Sequence, residues 1–122
     1  MPSQRDDCLF CQLVRTGNFV AQTDGFVAIE DIEPQAEVHL LIVPEHHIDS
    51  FREIGELSAE ESAAMLRFAA DTARQAGLTD YKLLTNVGAG AGQTIFHLQW
   101  HILGGRGADV TLQQLATAEV EL

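Results

Sequence analysis

An α+β fold with an antiparallel sheet of about five strands, one long helix and a short N-terminal helix is what this sequence predicts, on three observations. A single segment carries a complete helix signature, from the capping sequence Ser58-Ala59-Glu60-Glu61 to the stop at Gly77. Around it lie short runs of strand character, the strongest being the apolar run 38–43 and the alternating stretch 93–105. Asp24-Gly25 between two further runs has hairpin-turn chemistry and makes that pair antiparallel.

Taken in order, residues 1–7 are polar and read as an N-terminal arm. The segment 8–15, Cys-Leu-Phe-Cys-Gln-Leu-Val-Arg, spaces its apolar residues for a short helix that Gly17 ends. Strands follow over 19–22 and 26–30, and Asp31-Ile32-Glu33-Pro34-Gln35 leaves the second through a proline-bearing loop. The run 38–43 is largely apolar, the mark of a buried central strand, and Pro44 stops it. After Ser58, Met65, Leu66, Ala69, Ala73 and Ala76 form an apolar stripe at helical spacing. A strand over 81–87 leads to the loop Gly88-Ala89-Gly90-Ala91-Gly92 and then to the strand 93–105. Read as continuous, that strand sends Phe96, Leu98, Trp100 and Ile102 into the core and His97, Gln99 and His101 to the opposite face. The domain is expected over 8–105, with 106–122 as a C-terminal tail that is either helical around Leu112 to Leu115 or laid along a partner subunit.

A chain of 122 residues, 46% apolar and 20% charged, fits one globular domain with a real core. Its net charge of −11 sets up a field that repels nucleic acid polymers and anionic membranes, which excludes a polynucleotide-binding role. A phosphate-bearing ligand must then be held by local donors. No stretch has the length of a membrane span, and the start is too polar for a secretory signal, so a cytoplasmic protein is expected. In that reducing compartment Cys8-x-x-Cys11 points to metal or redox chemistry before a disulfide, and it lacks the aromatic and proline neighbours of thioredoxin-type motifs.

The polar face of 93–105 is a row of two imidazoles and an amide about 6.5 to 7 Å apart. It follows a loop rich in backbone N–H groups, an arrangement suited to an anion such as phosphate. The loop is neither a Walker motif, since no Gly-Lys-Ser/Thr follows, nor a dinucleotide fingerprint, since no helix follows. The plain alternative is a half-buried strand with a polar outer face behind a flexible hairpin. Asp31, taken alone, is a turn residue that bonds its own backbone. Two cysteines alone are half a metal site.

The stretch His97-Leu98-Gln99-Trp100-His101-Ile102-Leu103 resembles the signature of the histidine-triad (HIT) family, His-φ-His-φ-His-φ-φ with φ apolar, and in particular its Hint-like branch. The resemblance extends in order from Cys8 to Gly105, through Asp31 to Pro44 and the Gly-Gln-Thr loop. It implies a HIT-like fold and a homodimer joined through the 81–87 region and the long helix. It also implies a structural zinc (Zn) held by Cys8, Cys11, His47 and His97. Asp31 would accept the ribose hydroxyls, since a carboxylate offers acceptors to both at once. Phe10, Ile29 and Ile32 would line a purine slot, while Asn86, Gly92, Gln93 and Thr94 would wrap the α-phosphate beside Gln99 and His101.

In the family the middle histidine attacks phosphorus, and His39 and His101 correspond to its supporting imidazoles. Here the nucleophile position is Gln99. An amide nitrogen has its lone pair delocalised into the carbonyl and offers only hydrogen bonds. Loss of a nucleophile costs roughly 10⁶-fold in a serine protease. The resemblance therefore implies a protein that binds a purine nucleoside monophosphate, or its phosphoramidate or acyl-adenylate, with weak or no turnover. The alternatives are a hydrolase using a water- or His101-based route, and a non-catalytic dimeric interaction protein.

Overall fold

The run 38–43 becomes the centre of the sheet because it is largely apolar and each of its sides finds a partner layer. The computed structural model describes residues 8–16 and 19–109; the expected arm, and residues 110–122 of the expected tail, lie outside the described residues. The chain order is α1 (Leu9–Thr16), β1 (Ala21–Thr23), β2 (Phe26–Glu30), β3 (Val38–Pro44), a 3-10 turn at Phe51–Glu56, α2 (Ala59–Gln75), β4 (Tyr81–Leu84), a 3-10 turn at Ala89–Ala91 and β5 (Trp100–Gly104). The strands form one five-stranded sheet in the order β1-β2-β3-β5-β4, with every pairing antiparallel. This is the expected α+β architecture.

Helix α2 starts as the capping sequence requires. The Ser58 hydroxyl accepts from the Glu61 N–H at 3.0 Å, and the Glu61 carboxylate accepts from the Ser58 N–H at 2.9 Å. Gly77 follows its end in the left-handed region, at φ +82°. Met65, Phe68, Ala69, Thr72 and Ala73 face the sheet, where they pack on Phe26, Ala28, Leu40, Ile42 and Ile102. Leu66 and Ala76, expected in the stripe, are exposed. Leu66 lies about 100° around the helix from Met65, beyond the edge of the buried face. On the other side of the sheet Val27, Ile29, Leu41 and Val43 pack on Cys8, Phe10 and Cys11, so the N-terminal helix closes the second layer.

Strand boundaries depart from expectation at four places. β1 begins at Ala21 instead of 19, and β3 runs on to Pro44, which pairs with Phe26 at the end of its ladder. β4 stops at Leu84; beyond it the Thr85 hydroxyl donates to the Gln99 carbonyl at 2.7 Å. The largest correction concerns 93–105, where only Trp100–Gly104 is strand. Before it the chain is drawn across the end of the sheet: the Leu98 N–H donates to the Ile48 carbonyl at 2.8 Å and His97 Nε2 to the Pro44 carbonyl at 2.7 Å. His97 is thereby fully buried, and Phe96, expected in the core, is 48% exposed.

Candidate functional site

The loop before β3 positions the first histidine. The Asp31 N–H donates to the His39 carbonyl at 3.0 Å and its carboxylate accepts from the Glu33 N–H at 2.9 Å, an Asx turn that Pro34 continues. Asp31 is thus the turn residue its local sequence suggests, and its second oxygen lies 3.4 Å from His39 Nε2. The turn aims the Gln35 N–H at His39 Nδ1, 3.0 Å away. Strand pairing sets Leu41 opposite His101 and His39 opposite Leu103, which brings the two imidazoles together on the face away from α2. His39 Nε2 and His101 Nδ1 are 2.9 Å apart.

These contacts determine the protons. Burial pushes His39 down, opposed by the Asp31 charge, and pushes His101 down to about 4, with the neighbouring His39 adding to the effect. Each ring is neutral at pH 7 and carries one N–H. His39 accepts at Nδ1 from the Gln35 amide, so its proton is on Nε2 and is donated to His101 Nδ1. His101 must then carry its own proton on Nε2. That atom is buried and has no protein partner among the described residues. Gln99, 8% exposed, likewise has its side-chain carbonyl Oε1 buried without a partner. By distance alone Asp31, His39 and His101 resemble a metal site, their ligand atoms lying within 4.8 Å of one another. The proton on His39 Nε2 argues against it, because that nitrogen has no lone pair to give.

The glycine loop is more self-contained than its composition predicts. The Gln93 side chain accepts from the Gly88 N–H at 2.9 Å and donates to the carbonyls of Asp49 at 2.6 Å and Ile95 at 3.0 Å. The Gly92 and Gln93 N–H groups turn inward, onto the Ala89 and Gly88 carbonyls at 3.1 and 3.0 Å. Asn86 Nδ2 donates to the Ala91 carbonyl at 2.8 Å, while its Oδ1 is buried without a partner among the described residues. Gly92, Gln93 and Asn86 thus brace the loop, and Thr94 is the member of the set that is exposed. Phe10 and Ile29 are packed in the core layer, and Ile32 is 94% exposed on the Asx turn. An open depression of about 760 Å³ lies elsewhere, between Gly77–Lys82 and Gly105–Asp109, and holds none of the histidines.

The four expected metal ligands do converge. Cys8, Cys11, His47 and His97 are all buried, with ligand atoms within 4.8 Å of one another. His97 Nδ1 is 3.2 Å from Cys8 Sγ and 3.5 Å from Cys11 Sγ, and His47 Nδ1 is 3.3 Å from Cys11 Sγ. Each imidazole gives its Nε2 proton to an outer acceptor, His97 to the Pro44 carbonyl at 2.7 Å and His47 to the Asp49 carboxylate at 2.9 Å. Both Nδ1 lone pairs consequently face the sulfurs. Burial also pushes His97 down to about 4 against the pull of the Pro44 carbonyl, which keeps that lone pair available. Two cysteine sulfurs and two imidazoles whose Nδ1 atoms are oriented toward them are a donor set that fits tetrahedral zinc.

Sequence reasoning missed three supporting groups: Asp49, the Pro44 carbonyl and the Gln35 amide. Asp49 had a signal in the sequence, since His47-Ile48-Asp49 places a carboxylate next to a ligand histidine. The two backbone groups have none, because every residue brings a carbonyl and every residue but proline an N–H.

An antiparallel sheet with a paired His39 and His101, a glycine loop and a Cys₂His₂ cluster defines the class. The sequence profile described as the HIT domain matches residues 12–108, and the chain belongs to the HIT domain family. It is 38% identical over 104 residues to protein HitA of Neisseria gonorrhoeae, covering 81% of this chain and 96% of that one. It is 31% identical over 106 residues to the purine nucleoside phosphoramidase of Escherichia coli, covering 83% and 89%. Among solved structures it is similar to a HIT family hydrolase from Clostridium thermocellum, with a TM-score of 0.78 at 36% identity over 84% of this chain and 93% of that one. A histidine triad protein from Clostridium difficile gives a TM-score of 0.76 at 29% identity over 85% and 95%.

Proposed function

We propose that this chain binds purine nucleoside monophosphates and their phosphoramidate or acyl-adenylate derivatives and turns them over weakly or not at all. The likeness to a purine nucleoside phosphoramidase supports the ligand class. The observation that carries the second half is the chemistry of the buried pair Gln99 and His101. Gln99 offers an amide where a nucleophile is needed. The one free nitrogen of His101 bears a proton, so it is a donor to a phosphoryl oxygen and has no lone pair for attack or for deprotonating water. The same feature weighs against a hydrolase working through His101. Asp31 accepts the ribose hydroxyls with its remaining lone pairs, and Thr94 contributes its hydroxyl to the phosphate.

Cys8, Cys11, His47 and His97 hold a structural zinc in this reading. When bound, a four-ligand zinc supplies a crosslink between α1 and the segment before β5 and leaves no open position for substrate. A homodimer is proposed through β4, an edge strand whose Tyr81 and Leu83 are exposed, and the neighbouring α2. A cytoplasmic setting suits two cysteines that form no disulfide. No helix among the described residues is long and apolar enough to cross a membrane.

Titration calorimetry with AMP tests the binding. Saturable binding that Asp31→Ala weakens by about tenfold is expected, on the scale of hydrogen bonds to a charged group. No heat of binding in either protein would favour the interaction-protein reading instead.

A further inference from the structure

The proton order around His101 has an origin outside the histidines. Neutral His39 and His101 in contact have two self-consistent arrangements: both protons on Nε2, which points the chain outward, or both on Nδ1, which points it inward. The second would set a proton on His39 Nδ1 against the Gln35 N–H, 3.0 Å away, two donors facing each other without an acceptor. A backbone amide cannot reverse its polarity, whereas each imidazole can. The loop that holds the amide is itself fixed, by the Asx turn at Asp31, by Pro34 and by the Asp31 N–H on the His39 carbonyl.

We propose that the backbone amide of Gln35 is a positioning group that locks His39 and His101 with their protons on Nε2, making His101 a permanent donor to the phosphoryl oxygen of the ligand. The lock itself rests only on the observed hydrogen bonds; the donor role rests on the nucleotide-binding reading above. A fixed donor suits retention of an intact phosphoryl group, because the unpartnered nitrogen of His101 never presents a lone pair. The chemistry selects ligands with an anionic, unesterified phosphoryl oxygen and disfavours those whose oxygens are all esterified or protonated. Asp31 reinforces the same order, since its carboxylate oxygen 3.4 Å from His39 Nε2 attracts a proton there.

Replacement of Gln35 separates its amide from its side chain. Gln35→Ala keeps the N–H, and Gln35→Pro removes it while following Pro34, a residue already suited to the extended backbone that precedes a proline. The readout is long-range proton–nitrogen correlation of the imidazole rings in 15N-labelled protein at pH 7, with AMP affinity by calorimetry beside it. In the wild-type protein and in Gln35→Ala both histidines are expected as the Nε2–H form, with AMP affinities within about twofold. In Gln35→Pro the two rings are expected to mix tautomers and AMP binding to fall roughly tenfold, the scale of one hydrogen bond to a charged group. A proton on Nδ1 of His101 in the wild-type protein overturns the lock outright, and that spectrum decides even if Gln35→Pro does not fold. Unchanged tautomers in a folded Gln35→Pro overturn the role of the amide. Intact Nε2–H tautomers without AMP binding overturn the donor role and the nucleotide reading while leaving the lock standing.

Discussion

His39 and His101 meet through a 2.9 Å hydrogen bond between Nε2 of the first and Nδ1 of the second, which joins the start of β3 to β5 on the sheet face away from α2. That bond determines which nitrogen of His101 keeps a proton without a partner among the described residues. Removing the donor isolates its effect. In His39→Leu the His101 Nδ1 is buried without a partner, a loss of about 1–3 kcal/mol in urea unfolding. AMP affinity is expected to fall as well, since His101 is then free to turn its proton toward either nitrogen.

Acid unfolding reads the same pair. The ordinary histidine value is 6.5 and His101 in the folded protein is pushed down to about 4 by burial and by His39, so between those values the folded state binds fewer protons than the unfolded one. The stability this contributes is complete above about pH 6.5 and is lost as pH falls toward 4. The urea midpoint is expected to drop between pH 7 and pH 5, and to drop less in His101→Gln. An equal drop in both proteins would remove His101 as a cause.

Zinc is read by metal analysis and thermal unfolding. One equivalent per chain is expected in freshly purified protein, absent from Cys11→Ser and from His47→Ala. Stripping it with a chelator is expected to cost about 2–4 kcal/mol and roughly 10–15 °C in Tm, less than in a zinc finger because this chain has its own two-layer core. Metal content far below one equivalent would remove the four-ligand proposal.

The helix cap gives a control far from the site. Ser58→Ala removes the hydroxyl that accepts from the Glu61 N–H and should cost about 1 kcal/mol, near 4 °C in Tm, with AMP binding unchanged.

What could be read in advance follows from where the information sits. The extents of α2 and β2 were legible because Ser58, Glu61, Gly77 and Asp24-Gly25 are local punctuation whose meaning does not depend on the rest of the chain. The stretch before β5 was misread because alternation is also local, while the pull on His97 is not. The Pro44 carbonyl and two cysteines from the far end of the chain take that ring inward, and Phe96 is turned out as a consequence. Cys8, Cys11, His47 and His97 could be grouped through the family resemblance, since residue type carries their chemistry. Gln93 could be noticed but its role could not, because an amide that braces a loop and one that holds a phosphate have the same letter. The Gln35 amide was invisible for a deeper reason: it acts through a group that nearly every residue possesses.

The measurement that bears most directly on the proposed loss of the nucleophile is steady-state hydrolysis of an adenosine 5′-phosphoramidate by the wild-type chain and by Gln99→His, side by side at pH 7. An imidazole restored at that position regains a lone pair capable of attack, and a rise in kcat of at least about 10³-fold is expected, within the roughly 10⁶-fold span that a nucleophile commands. Equal rates in the two proteins, with the wild type turning over briskly, would contradict the claim that nothing in this site can attack the phosphorus.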